Sequence, residues 1–197
     1  MGQSMTFFFV RDSRRRYRYF STEPVHPLHI RFSRARQAWE TAKAKLLSIL
    51  PSRLLRQEQA FERVLTWKEG PLPVLYGGPE DPEHTARHFE RFLRAQRLRH
   101  ILLLAGEAVL MPVTWVAALL PGPNIFFYVL ALLVLLQIAA LRGISRTLRL
   151  ARQLTPDPLL TAWEEAVAAK DEGRFPVLLE SLEREHGLLA ARKILWP

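Results

Sequence analysis

The sequence predicts a mainly α membrane protein. A two-helix transmembrane hairpin is joined to a small N-terminal α+β unit (a β-hairpin plus helices) on the cytoplasmic side and to a C-terminal helical pair. Three observations predict it. Between Ile101 and Leu141 the only formal charge is Glu107. Pro121-Gly122-Pro123-Asn124 breaks that tract near its middle. Basic residues crowd its outer ends, with Arg94, Arg97, Arg99 and His100 before it and Arg142, Arg146, Arg149 and Arg152 after it.

The chain has 197 residues, 49% of them apolar, which by itself is ordinary for a globular protein. The distribution is what informs. Residues 1–100 carry 19 Lys/Arg against 10 Asp/Glu and so supply the whole formal excess of +9. A basic segment abutting an apolar tract points to anionic lipid before it points to nucleic acid. The absence of cysteine removes disulfides, thiol catalysis and Cys-ligated zinc, and fits either redox regime. The N-terminus places a short apolar run before its arginines, the reverse of a secretory signal. It is Arg-rich and acid-poor, as a mitochondrial transit peptide would be, and Gly2 with Thr6 fits the myristoylation template, but neither match is convincing. The expected location is a bacterial cytoplasmic (inner) membrane with both termini cytoplasmic. The alternative is a mitochondrial inner membrane with the termini in the matrix.

The first eighty residues read as the basic α+β unit. Thr6 to Val10 is aromatic and β-branched, Arg11 to Arg14 is a polar turn, and Arg16-Tyr17-Arg18-Tyr19 alternates at period two. A structural hairpin with one solvated basic face is favoured over a nucleic-acid surface. Apolar residues at helical spacing run from His26 to Leu50, and a second helix follows Pro51 with Leu54, Leu55, Phe61 and Leu65 inward. Pro71 to Gly78 is a short strand between breakers, expected to join the hairpin.

Residues 81–153 begin with Asp81-Pro82-Glu83, a cap, a proline and an acid in helix-start order. One long helix is expected to enter the apolar tract, with spans at about 101–120 and 125–141 and the turn at 121–124. Twenty helical residues cover ~30 Å, the thickness of the hydrocarbon core. Positive flanks stay on the side of synthesis, which sets the topology. In the turn, Pro121 ends one helix, Gly122 can take positive φ, and Asn124 can cap the next. The arginines 94, 97, 99, 142, 146, 149 and 152 are expected to contact anionic lipid head groups. Residues 154–197 supply C-terminal helices, the first opened by Asp157-Pro158, with a turn at Asp171-Glu172-Gly173.

Glu107 is the candidate for chemistry, because a carboxylate within a span costs ~2.5–3.5 kcal/mol. Gln137 lies at a similar depth on the antiparallel helix and can donate a hydrogen bond to it. Gly106 permits close helix approach, and Pro112 frees the carbonyl of Ala108 beside Glu107. The cluster is either a proton-titrating site or a protonated acid serving as interhelical glue. His84 and His88 have i, i+4 spacing but lack the acid of a metalloprotease motif and a third ligand, so they read as surface histidines. No metal site, cofactor or catalytic set is expected, and hence no enzyme.

Leu72-Pro73-Val74-Leu75-Tyr76, then Pro123-Asn124-Ile125-Phe126-Phe127-Tyr128, then Ala140-Leu141-Arg142-Gly143 follow one another as motifs. In this order the chain resembles the mitochondrial K+–H+ exchange-related proteins, which have bacterial relatives. The resemblance covers most of residues 5–150. It departs from that pattern at Leu135-Leu136-Gln137-Ile138, where relatives often carry Trp, His and Arg. The resemblance implies monovalent-cation homeostasis at an inner membrane. Two spans enclose no ion path alone, so the expectation is an accessory component working as a homo-oligomer or with a membrane protein partner. The alternative is a non-transporting membrane-anchored scaffold or a lipid-surface binding protein.

Overall fold

The computed structural model describes residues 5–22, 52–68, 70–78, 81–117, 125–188 and 191–196. Its elements are β1 (Phe7–Arg11), β2 (Tyr17–Ser21), α1 (Ser52–Val64), β3 (Leu72–Tyr76), α2 (Pro82–Ala117), α3 (Ile125–Arg149), β4 (Arg152–Pro156), α4 (Pro158–Ala169), a 3-10 turn (Glu172–Arg174), α5 (Phe175–His186) and α6 (Ala191–Leu195).

A four-stranded sheet in the order β2-β1-β3-β4 organises the molecule. β1 and β2 pair antiparallel with Phe9 opposite Tyr19, while β1–β3 and β3–β4 are parallel. Phe7, Phe8, Phe9 and Val10 are all buried. That is why β1 reads as an unbroken apolar run: a strand covered on both faces shows no alternation. Phe7 and Phe9 join Tyr19, Phe61, Val74, Phe89, Leu93 and Ile144 in one core, beneath α1, the start of α2 and the end of α3. Phe8, Val10 and Phe20 face the opposite core, filled by Leu160, Trp163 and the apolar residues of α5 and α6. Trp163 is fully buried, and its indole N–H donates to the Arg11 carbonyl at 2.8 Å.

The β1–β2 turn closes around Asp12. Its Oδ1 accepts from the Arg14 and Arg16 amides at 3.0 and 2.9 Å, and its Oδ2 accepts from the Arg18 guanidinium at 2.9 and 2.7 Å. Arg15 takes φ 59°, the left-handed conformation this turn needs. Arg18 is therefore drawn inward, away from the expected basic face.

Parallel neighbours need a crossover. Between β3 and β4 that crossover is the pair α2 and α3, which pack against each other while α3 also packs on α1. α2 begins at Pro82, as Asp81-Pro82-Glu83 predicts. Asp157 caps α4 by accepting from the Leu160 amide at 2.9 Å, with Pro158 in the first turn. α5 ends at Gly187, whose φ of 62° suits glycine.

This mixed α/β architecture overturns the expected class, a mainly α protein built on a two-helix transmembrane hairpin. Among the described residues no helix is long and apolar enough to cross a membrane. In α3 the apolar run from Ile125 to Leu141 sits at the short end of what a span requires. The turns that follow are committed to the sheet layer, where Ile144 and Thr147 are fully buried. In α2 the described part of the apolar stretch stops at Ala117 and contains Glu107. The sheet was also larger than expected, because β4 went unrecognised. The expected turn residues Pro121, Gly122, Pro123 and Asn124 lie outside the described residues, as does the helix expected from His26 to Leu50.

Candidate functional site

Glu58 lies on α1, three residues before the buried Phe61, and helical spacing puts the two on neighbouring positions of one side. That side meets α2 and α3. His100 and Glu107 are seven residues apart on α2, two turns along one face. Gln137 faces both from α3 and joins them. The His100 Nδ1 is hydrogen-bonded to Gln137 Oε1, and Gln137 is hydrogen-bonded to the Glu107 carboxyl. On its other side, His100 Nε2 stands 3.3 Å from Glu58 Oε1, without the alignment of a hydrogen bond. The Phe61 ring packs edge-on against the imidazole, with centroids 6.4 Å apart.

Electrostatics follow from burial. His100 is 2% exposed. Burial lowers its pKa; the bond to Gln137 works against that, and the adjacent Arg99 adds to it. Burial raises Glu58 from 4.5 to about 7, with Arg99 opposing. Because Gln137 presents an acceptor, the neutral imidazole carries its proton on Nδ1 and turns a lone pair on Nε2 toward Glu58. Near neutrality Glu58 therefore exchanges its proton, since its carboxyl is raised to about 7. Its loss places a carboxylate against that lone pair at the junction of three helices. The arrangement can take up and release a proton where α1, α2 and α3 meet.

The expected meeting of Glu107 with Gln137 is present. Glu107 Oε2 is buried without a hydrogen-bond partner. Pro112 lies inside the continuous α2 and is exposed. Gly106 does not mediate helix approach, because a Cβ there would meet nothing within 4 Å. Close approach occurs instead at Gly143, where a Cβ would lie 2.1 Å from the Phe61 carbonyl oxygen. Gly77 is similar, 2.5 Å from the Leu160 carbonyl oxygen.

The sequence does not single out Glu58, and it places His100 among the basic flanks, whereas the structure puts both in the junction. Both were detectable: Glu58 interrupts an inward stripe, and His100 shares a face with Glu107. His84 and His88 pack ring against ring at 4.5 Å. Among the described residues no group of three or more acidic or histidine ligands could hold a metal.

The expected head-group arginines divide. Arg94 is exposed and pairs with Glu90 at 2.6 Å, and Arg97 and Arg99 are exposed nearby. Arg142, Arg146 and Arg149 surround one groove at the end of α3. Arg152 lies on β4, half-buried.

The family model described as mitochondrial K+-H+ exchange-related matches residues 29–150 of the chain. The chain belongs to this family. The match takes in α1, β3, α2 and α3, and so contains all four residues of the junction. Gly143 of the family-like motif Ala140-Leu141-Arg142-Gly143 thereby has a physical reason in its contact with Phe61. No curated protein and no solved structure matches the chain.

Proposed function

We propose that this K+-H+ exchange-related protein is an accessory component of monovalent-cation homeostasis at an inner membrane, working as an oligomer or with a membrane protein partner rather than as an enzyme. The observation that carries the reading is the junction itself. Glu58, His100, Gln137 and Glu107 join three helices around one carboxyl, Glu58, that burial raises to about 7, beside an imidazole whose pKa burial lowers and a second carboxyl whose pKa burial raises. A proton gained or lost there alters the charge between α2 and α3, which gives the protein a means of reading pH. The family's description supplies the ions and, by naming mitochondria, supports the mitochondrial inner membrane over the bacterial one.

The test is K+-driven proton flux in native membrane vesicles from cells lacking the protein, complemented with wild type, Glu107→Gln or His100→Gln. Both variants are expected to accumulate normally and to restore less flux. Full flux with both would remove the junction from the function.

A second reading, a lipid-surface binding protein, is favoured by a specific observation. Arg142, Arg146 and Arg149 converge on one groove. The two readings are compatible if contact with anionic lipid holds the protein at the membrane where it works.

A further inference from the structure

The end of α3 and the end of α1 enclose a groove of about 640 Å³. Its basic wall is Arg142, Arg146 and Arg149, at i, i+4 and i+7 on the last two turns of α3. Its apolar floor includes Leu65, Leu141 and Leu150. Among the described residues no carboxylate lines it. Cations near a helix C-terminus ordinarily compensate the last carbonyls. Arg149 does so, its Nε donating to the Ser145 carbonyl at 3.2 Å. That role does not account for the other two. Arg142 is exposed. Arg146 donates from Nη2 to the Trp67 carbonyl at 2.5 Å, while its Nε is buried with no hydrogen-bond partner. The Trp67 bond uses one of the guanidinium's five N–H donors and fixes the side chain at the groove wall, where the charge of Arg146 adds to those of Arg142 and Arg149.

The floor identifies the kind of anion. A free phosphate needs no leucines, and the groove is far larger than a phosphate. Ile138 also lines it, and Leu135, one turn earlier on α3, is 51% exposed. An apolar track therefore leaves the groove along α3, through Ile138 to the exposed Leu135. We propose that this groove binds a single anionic phospholipid, its phosphate held by Arg142, Arg146 and Arg149 and its acyl chain running over Leu141 and Ile138 toward Leu135. The proposal rests on the lipid-surface reading above and deepens it by giving that contact one site with a defined stoichiometry.

The test uses the full chain and two measurements. The first is calorimetric titration with soluble short-chain phosphatidylglycerol, short-chain phosphatidylcholine and inorganic phosphate. Wild type is expected to bind phosphatidylglycerol at one per chain, and the other two at least about tenfold more weakly. Affinity should fall about fivefold for each arginine removed in Arg146→Gln and in Arg142→Gln/Arg149→Gln. The double variant changes two exposed side chains and guards against misfolding of the first. Arg94→Gln/Arg97→Gln, outside the groove, should bind as wild type does. Equal binding of phosphatidylcholine, equal binding of inorganic phosphate, or indifference to the groove arginines would each overturn the proposal. The second measurement is flotation with vesicles containing phosphatidylglycerol. Flotation of wild type without short-chain lipid binding would sink the groove and leave the surface reading standing. Loss of flotation with saturable short-chain binding would do the reverse.

Discussion

Gly143 and Phe61 touch backbone to backbone: a Cβ on Gly143 would stand 2.1 Å from the Phe61 carbonyl oxygen and 2.6 Å from its carbon. Both atoms belong to the α1 main chain, so no side-chain rotation can make room. Gly143→Ala is expected to destabilise the protein by about 1–3 kcal/mol, the usual cost of overpacking. Thermal unfolding should show a fall of several degrees. Gly106→Ala, where a Cβ meets nothing, should be neutral or stabilising by up to about 1 kcal/mol, because alanine is the better helix former. A reversed order of the two variants would contradict this packing of α3 on α1.

Glu58 makes stability depend on pH in a defined direction. Its folded pKa is raised from 4.5 to about 7, so between those values the native chain binds more protons than the unfolded one. Stability is therefore full below the lower value and declines as pH rises through the window. His100 acts the other way, because its lowered pKa withdraws stability as pH falls below 6.5. Glu58→Gln cannot ionise. The difference in melting temperature, variant minus wild type, should grow by about 3 °C or more from pH 5 to pH 8, after allowance for solvent screening of a carboxyl that is 31% exposed. A difference that does not change with pH would remove Glu58 as a buried titrating group.

Gln137 raises the pKa of His100 by accepting its Nδ1 proton. Gln137→Ala should move the imidazole titration to lower pH, because burial then acts with less opposition. The shift is readable in the imidazole ring protons by NMR. Gln137→Glu should move it the opposite way, since a carboxylate favours the charged ring. Identical titrations in all three proteins would mean that the bridge does not form in solution.

Asp12 is fully buried and pairs with Arg18 at 2.7 Å, the Arg18 side chain being 12% exposed. Asp12→Ala would strand that guanidinium and free the Arg14 and Arg16 amides. Removing one partner of a buried pair costs about 3–5 kcal/mol. Chemical denaturation should show a loss of that size, whereas Arg94→Ala, which breaks only the exposed pair with Glu90, should cost under about 1 kcal/mol.

The sequence disclosed whatever has a local signature. β1 is visible in its aromatic run, β3 in its position between breakers, and α2 and α4 in Asp-Pro starts that the structure reproduces. β4 is not visible, because Arg-Gln-Leu-Thr-Pro has no apolar period and ends in proline. It is an edge strand held by backbone bonds, which leave no mark on side-chain identity. Pairing of β1 with β3 across more than sixty residues is equally silent in the sequence. The long apolar tract misled for a related reason: hydropathy counts residues but does not say what the helix ends pack against, and Ile144 and Thr147 belong to the sheet layer. In the site, Glu107 and Gln137 were found by matching depths on two helices. Glu58 came from a third helix, whose placement no local pattern gives, although its intrusion into an apolar stripe marked it as unusual.

The crossover from β3 to β4 has a mechanical consequence. The two strands are hydrogen-bonded neighbours, so the base of α2 and the base of α3 are riveted side by side, and neither helix can slide along its partner without breaking the register of Val74 with Leu154. Gly143 against the Phe61 main chain ties α3 to α1 as well, so His100 and Gln137 meet on a frame whose fixed points are backbone contacts rather than side-chain fits.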